Sequence, residues 1–262
     1  MNRRSFLFRT GATIATSMLG LLGWSTGVEP RRVQVERRQV EIPGLPRHLH
    51  GYKIGLLTDT HLGETTPDET VRHAFALVKA EGPDLILLGG DLLSSLAGLP
   101  LLKQLVAGLN AYGVYGNWDW EFRALAALPG LRMLINEGVE VAPGLWLAGL
   151  DDFHLGDPQM APALAGAPEG AVRLLLVHEP DWADLVRAED RIALQLSGHA
   201  HGGQVRLPGI GPLLLPPDGR KYPMGLQSAP HTRVYTSRGV GVAHLPIRLL
   251  CPPEVTIITL AG

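Results

Sequence analysis

Five short apolar stretches of this chain each end in side chains able to hold a metal ion. They are Asp59-x-His61, Asp91 after Gly90, Asn117 after Gly116, His178, and His199-x-His201 after Gly198. Carboxylate, amide oxygen and imidazole make a mixed oxygen and nitrogen donor set without thiolate, which suits manganese, iron or zinc. Each signal alone is weak, since Gly-Asp after a strand is ordinary turn chemistry. The ordered series of five is what points to one centre. The chain has one cysteine, Cys251, against ten histidines in 262 residues. An internal disulfide and a cysteine-based zinc finger are therefore excluded, and a metal site must be built from imidazole and oxygen donors.

The segments carrying these groups alternate between strand and helix. Lys53–Thr58, Asp84–Leu88, Gly113–Tyr115, Val172–Val177 and Ile192–Leu196 read as strands, most of them continuously apolar. A helix is predicted from Thr66-Pro67-Asp68-Glu69 to about Glu81, where Gly82-Pro83 stops it. Further helices are predicted over Pro100–Leu109 and Asp181–Arg187. Short strands are expected at 139–141 and 145–149, and hairpin-like segments at 204–207, 212–215, 233–236 and 255–260. The aliphatic run Leu213–Leu215 reads as a buried strand in preference to an apolar lip for a lipid chain. Alternation of this kind argues for an α/β domain, with largely parallel strands in its middle and a mixed second sheet. The carboxyl ends of strands form the ligand crevice of such sheets, so the five strand-end groups can converge. No Gly-x-Gly-x-x-Gly follows a strand, which excludes dinucleotide binding. A Ser/His/Asp hydrolase is a poor third reading.

The ordered series resembles the calcineurin-like metallophosphoesterase superfamily from about Tyr52 to Leu260. The strings His178-Glu179-Pro180-Asp181, Gly198-His199-Ala200-His201-Gly202-Gly203-Gln204 and Cys251-Pro252-Pro253-Glu254 look like its exported bacterial YkuE/YaeI-type phosphodiesterase branch. The resemblance implies a two-sheet α/β/β/α sandwich around a dinuclear centre of two divalent metal ions. Asp59, His61 and His201 would bind the first ion, Asn117, His178 and His199 the second, and Asp91 would bridge them. The implied reaction is hydrolysis of a phosphodiester or pyrophosphate bond by a metal-bridging hydroxide.

One residue departs from that pattern. Where the family usually has Gly-Asn-His-Asp/Glu, this chain reads Gly116-Asn117-Trp118-Asp119. Indole has no dissociable proton to give a departing alcohol, so the exchange removes an acid but no metal ligand. Three readings stay open. The substrate can have a leaving group stable as an anion, as in a pyrophosphate or activated diester. His154, in the loop Asp151-Asp152-Phe153-His154, can replace the acid. Or the chain is a weakly active or inactive metal-binding envelope protein. Arg206, Arg220, Lys221 and Arg238 follow the last ligands and are candidates to grip phosphate oxygens, Arg238 first among them.

Charge divides the chain. Residues 1–50 carry eight Arg and three Glu, a net of +5, whereas the remaining 212 residues have a net of −7. An acidic body gives no bulk reason to bind nucleic acid, and none is expected as a partner. Asn2-Arg3-Arg4-Ser5-Phe6-Leu7, followed by the uncharged run Thr10–Val28, resembles a twin-arginine export signal. Residues 1–28 are thus expected to be a signal or membrane anchor and 29–50 a basic linker and leading strand or tether. Residues 51–262 form the expected metallophosphoesterase domain. The expected location is extracytoplasmic, at the membrane or cell envelope, reached through the twin-arginine export machinery. The expected substrate is a small-molecule or lipid phosphoester or pyrophosphate.

Overall fold

Two six-stranded sheets face each other across a shared aliphatic core in the computed structural model, which describes residue 10 and residues 16–262. The first sheet has the order β1-β14-β2-β3-β4-β5, built from β1 (Gln34–Glu41), β2 (Lys53–Leu57), β3 (Leu85–Leu88), β4 (Ala111–Gly113), β5 (Leu131–Met133) and β14 (Glu254–Ala261). The second has the order β12-β13-β9-β8-β7-β6, from β6 (Glu137–Ala142), β7 (Leu145–Gly149), β8 (Val172–Leu176), β9 (Ile192–Ser197), β12 (Gly225–Ser228) and β13 (Arg233–Thr236). A two-strand pair, β10 (Arg206–Leu207) and β11 (Gly211–Pro212), projects beyond them.

Side-chain alternation explains the layering. In β2, Ile54 and Leu56 face the second sheet, while Leu57 turns to the outer helices. In β8, Leu174 and Leu176 enter the shared core, and Leu175 packs outward with Trp146 and Trp182. Period-two alternation of residues that are apolar on both faces gives strands buried on both sides. Outside the first sheet lie α1 (Asp68–Ala80) and α2 (Leu99–Val106), which bury Val71, Phe75, Val78, Leu102 and Val106. Outside the second sheet the helical layer is thin: α3 (Met160–Leu164) and the 3-10 turn Pro180–Asp184. The α/β/β/α sandwich expected from the sequence is the observed fold.

Parallel pairing puts the chemistry at one end. β2, β3 and β4 run parallel, as do β7, β8, β9 and β13. The strand ends of β2, β3, β4, β8 and β9 therefore deliver their ligand-bearing loops to the same edge of the sandwich.

Several elements differ from the sequence expectation. Thr66 does not cap α1; its hydroxyl accepts from the Val242 amide and ties the loop after β13 to the start of the helix. The helix expected to Leu109 stops at Val106, ahead of Gly108, whose φ of 75° is left-handed. Asp181–Arg187 forms only the 3-10 turn, because the Asp181 carboxylate is taken by the backbone amides of Arg220, Lys221 and Tyr222. Leu213–Leu215 is not a buried strand. Pro216 and Pro217 follow it directly, and Leu213 and Leu214 are 56% and 81% exposed. Residues 34–41 are not a tether, since β1 pairs in parallel with β14 along its whole length.

The twin-arginine string lies outside the described residues. Residues 16–23 are helical and lead into a π-helical turn, Trp24–Val28. That turn is fastened to the body: the Arg248 amide donates to the Ser25 carbonyl at 2.9 Å, and the Cys251 amide to the buried Glu29 carboxylate at 2.6 Å. Among the described residues no helix is long and apolar enough to cross a membrane.

Leu174 is fully buried between the sheets. Leu174→Ala is expected to lower the unfolding free energy by about 2–5 kcal/mol, read from urea denaturation.

Candidate metal centre

The ligand loops begin where the strands stop pairing, and their backbone is forced into an unusual shape. Asp59, His61, Asp91, His199 and His201 all have positive φ, between 44° and 66°. Left-handed residues other than glycine cost energy, and clusters of them mark sites whose geometry is imposed by the surrounding structure. The preceding glycines are required by space. A Cβ on Gly116 would collide with the Asp91 carboxylate and the His178 imidazole, and one on Gly198 with the Asp59 carboxylate.

Asp59, His61 and His201 offer one ligand atom each within 4.8 Å of one another, and Asp91, His178 and His199 form a second such group. All six are buried. Asp91 faces both groups: its Oδ2 lies 3.2 Å from His178 Nε2 and 3.6 Å from His61 Nε2. Its Oδ1 accepts from the Trp118 amide at 2.9 Å. Asp59 Oδ1 lies 3.3 Å from His201 Nε2, and the Asp59 carboxylate accepts from the His199 amide. Asn117 Oδ1 stands 3.1 Å from His199 Nδ1 and so belongs with the second group.

Ring orientation is fixed from behind. His178 Nδ1 sits 2.7 Å from the Gly89 carbonyl, and His199 Nε2 sits 2.8 Å from the Pro217 carbonyl. A ring nitrogen facing a carbonyl oxygen must carry the proton, which leaves His178 Nε2 and His199 Nδ1 as the nitrogens turned inward to the ligand groups. His61 and His201 bring their Nε2 atoms within 3.1 Å of each other. His178 Nε2, 3.2 Å from Asp91 Oδ2, is buried and makes no well-aligned hydrogen bond. Lone pairs and carboxylates gathered in a dry pocket are costly unless cations join them. The donors therefore fit two divalent ions, with Asp91 placed between the groups.

The electrostatics of three of the four imidazoles agree with ligand duty. Burial pushes the His61 and His199 imidazoles down to about 4, and burial with His61 and Arg248 nearby holds His201 well below its ordinary range. These three rings are thus neutral, as a metal ligand must be. His178 differs, since burial opposes its charge yet the Asp91 and Asp59 carboxylates hold it well above its ordinary range, a proton that a cation at Nε2 would displace. Burial opposes ionisation of Asp91, yet His178, His61 and the Trp118 amide hold its carboxyl below the usual range. Asp59 goes up to about 6, through burial and the Asp91 charge.

A model of the calcineurin-like phosphoesterase family matches residues 52–203, which contain every one of these ligands. The chain belongs to that family. It is 32% identical to an uncharacterized metallophosphoesterase, YkuE, of Bacillus subtilis strain 168, over 99% of this chain and 98% of that one. It is also 32% identical to the phosphodiesterase YaeI of Escherichia coli K12, over 99% of each. A transmembrane protein with a metallophosphoesterase domain from Danio rerio is 30% identical over 95% of this chain and 62% of its own length.

The remaining candidates separate. Arg238 is turned away from the centre: its Nε donates to Glu254 at 2.7 Å and its Nη2 faces Glu36 at 3.6 Å. The proposed phosphate grip is thus a strut between β14 and β1. Lys221 pairs with Asp184, and Arg206 donates to the Gly202 carbonyl. Arg220 does line the cleft over the metal groups. His154 is 3.2 Å from Asp218 and does not line that cleft. A Gly-x-Ser-x-Gly string does occur, at Gly23–Gly27, but it is no nucleophile turn, because Ser25 lies in the π-helical turn and donates to the Leu22 carbonyl.

Three residues escaped the sequence reading. Asp119, fully buried, accepts from the amides of Leu92, Leu93 and Gly116 and so holds the Asp91 and Asn117 loops together. Burial and the Asp91 charge push its carboxyl up to about 7. Arg248, also fully buried, donates to the carbonyls of Arg238, Gly239, Gly241 and Cys251 and knits the loop beneath His201. His244 lines the cleft and packs on Trp118 with ring centroids 5.2 Å apart, while Trp118 meets His61 edge-on at 5.0 Å. The Asp after Asn117 was a readable signal, whereas nothing local in the sequence brings residue 244 to residue 118.

Asp91→Asn is expected to reduce bound metal from two ions to one or none per chain by atomic emission, and to lower activity by at least about a hundredfold. Arg238→Met is expected to lower the melting temperature by several degrees while leaving KM for a phosphodiester within about twofold.

Proposed function

We propose that this chain is a two-metal phosphoester hydrolase whose substrate is a phosphodiester or pyrophosphate carrying an apolar, lipid-like part. The observation that carries the reading is the composition of one cleft of about 610 Å³. Asp91, Asn117, His199 and His201 form its polar floor; Leu213, Leu214, Leu215, Pro216, Leu245 and Ile247 form its apolar walls. A site built to cleave a small hydrophilic ester has no use for aliphatic walls beside its metal ligands. The likeness to YaeI, named as a phosphodiesterase, supports the reaction class.

Bound divalent ions would supply an activated water and neutralise phosphoryl oxygens. The donor set favours manganese, iron or zinc. The protein's own part is to orient the ligands through Gly89, Pro217, Asp119 and Arg248, and to offer Arg220 toward phosphate oxygens. It also places the Trp118 indole where the family's usual histidine would stand. With an indole there, bonds whose leaving group is stable as an anion are favoured over alkyl monoesters. Of the two imidazoles available to assist departure, His244 is better placed than His154, because it lies on the cleft wall. The leader supports export by the twin-arginine route to an extracytoplasmic, envelope-associated location, with no nucleic acid as partner.

A second reading, a weakly active or inactive metal-binding envelope protein, draws on Trp118 alone. Both are tested by loading the purified chain with manganese and assaying alkyl monoesters, diesters and lipid-linked pyrophosphates. The hydrolase reading expects turnover of a diester or pyrophosphate, with kcat/KM rising about tenfold or more as an acyl chain is added. Two bound metals with no turnover on any substrate favour the second reading. Trp118→His is expected to raise activity on alkyl monoesters relative to diesters, and an unchanged preference counts against the leaving-group argument.

A further inference from the structure

Large apolar side chains left exposed on the body of the protein are not scattered. Of nine among the described residues after Val28, five are Ile210, Leu213, Leu214, Leu245 and Leu250. They belong to two segments, 209–217 and 243–250, from which Leu213, Leu214 and Leu245 line the cleft. Ile210 is 71% exposed, Leu214 81% and Leu245 62%. Contiguous exposed aliphatic groups around a polar cleft mark an interaction surface, whereas singly exposed ones are ordinary.

Both loops are held rigidly. The Gln204 side chain donates to the Ala243 carbonyl at 3.1 Å and accepts from the Ala243 amide at 2.6 Å, which clamps the second loop to the segment before the first. Val205 bridges to Leu249 on the other flank. The leucines are thus presented on a braced frame and do not collapse onto the body.

The apolar leader leaves from this same frame. Ser25 and Glu29 are fastened to Arg248 and Cys251, at the base of the 243–250 loop. Met18, Leu19, Leu21 and Leu22 are all exposed, and Trp24 is 40% exposed with the Arg32 guanidinium 5.5 Å over its ring. An indole beside arginines, between an aliphatic helix and a polar body, is the arrangement favoured at a bilayer surface. Arg31, Arg32 and Arg220 are exposed, with a charge sign that suits anionic headgroups.

We infer that the cleft mouth is a membrane-docking face: Leu213, Leu214 and Leu245 enter the headgroup–acyl boundary of a lipid bilayer, and the leader enters beside them. The metal centre then opens toward the membrane and not toward water. This rests on the reading of the cleft as a phosphoester site and adds the surface on which its substrate is met. The occupant is a bilayer, in preference to a second copy, because the aliphatic leader exits next to the rim and would itself need an apolar host.

The test uses the full chain with an environment-sensitive fluorophore on Leu214→Cys, on Leu245→Cys, or on Glu169→Cys as control. Glu169 is exposed and precedes β8, at the strand end opposite His178. The native Cys251 is buried and does not compete for label. Vesicles of equal parts phosphatidylglycerol and phosphatidylcholine, with and without nitroxide-labelled lipid, are added. Labels at 214 and 245 are expected to shift to the blue and be quenched severalfold more than the label at 169. The unlabelled variant carrying Leu214→Asp and Leu245→Asp is expected to partition about tenfold less onto vesicles. If the chain sediments with vesicles while the labels at 214 and 245 stay as in water, the leader alone anchors it and the inference is wrong. A blue shift without vesicles, accompanied by a dimer in sedimentation velocity, overturns it in favour of a second copy. Turnover of a soluble diester by the unchanged chain is measured separately, so a failed hydrolase reading and a failed docking face give different results.

Discussion

Everything at the business end of this molecule depends on holding two carboxylates and four imidazoles out of water within a few ångströms of one another. Buried anions repel, and buried unpaired lone pairs are costly. The surrounding structure has to supply the balance without filling the space between them. It does so with backbone amides that grip Asp59 and Asp91, and with carbonyls that hold the outer nitrogens of His178 and His199. The left-handed backbone at five of these residues is the mechanical cost of that arrangement. The aligned ends of two parallel strand sets, each anchored in the common core, are stiff enough to bear it.

A second tier supports the first. Asp119 ties the β3 and β4 loops by three amides, and Arg248 fastens the loop under His201 by four carbonyls. Neither touches the cleft. Each is fully buried, so its position is set by hydrogen bonding and not by solvent. Arg238 does similar duty further out, where Glu254 and Glu36 join the last strand to the first.

The metal ligands were legible in the sequence because each follows a strand in a fixed local context: Asp-x-His, Gly-Asp, Gly-Asn, Gly-His-x-His. At Asp91, Asn117 and His199 that context is physical, since Gly90, Gly116 and Gly198 before them have no room for a Cβ. The strands of the middle were legible for the same local reason, an unbroken aliphatic run. What failed was non-local. Thr66 carries the capping pattern but spends its hydroxyl on Val242, which lies 176 positions away. Arg238 looked like an anion grip, and only the pairing of β14 beside β1 reveals that two glutamates claim it. Leu213–Leu215 has the composition of a buried strand, and two prolines with a cleft beside them make it a wall. His244 could not be tied to Trp118 from spacing, since their meeting is a product of the tertiary fold.

The order of strands has a consequence in time. β14, the last strand made during synthesis, lies between β1 and β2, which are among the first. The first sheet therefore cannot close while the chain is still being elongated, and the leader's fastening to Cys251 waits for the same event. Such widely separated pairings fold slowly. The N-terminal segment gains its seat on the body only when residue 251 is in place, so the state of the leader reports whether the whole chain has folded.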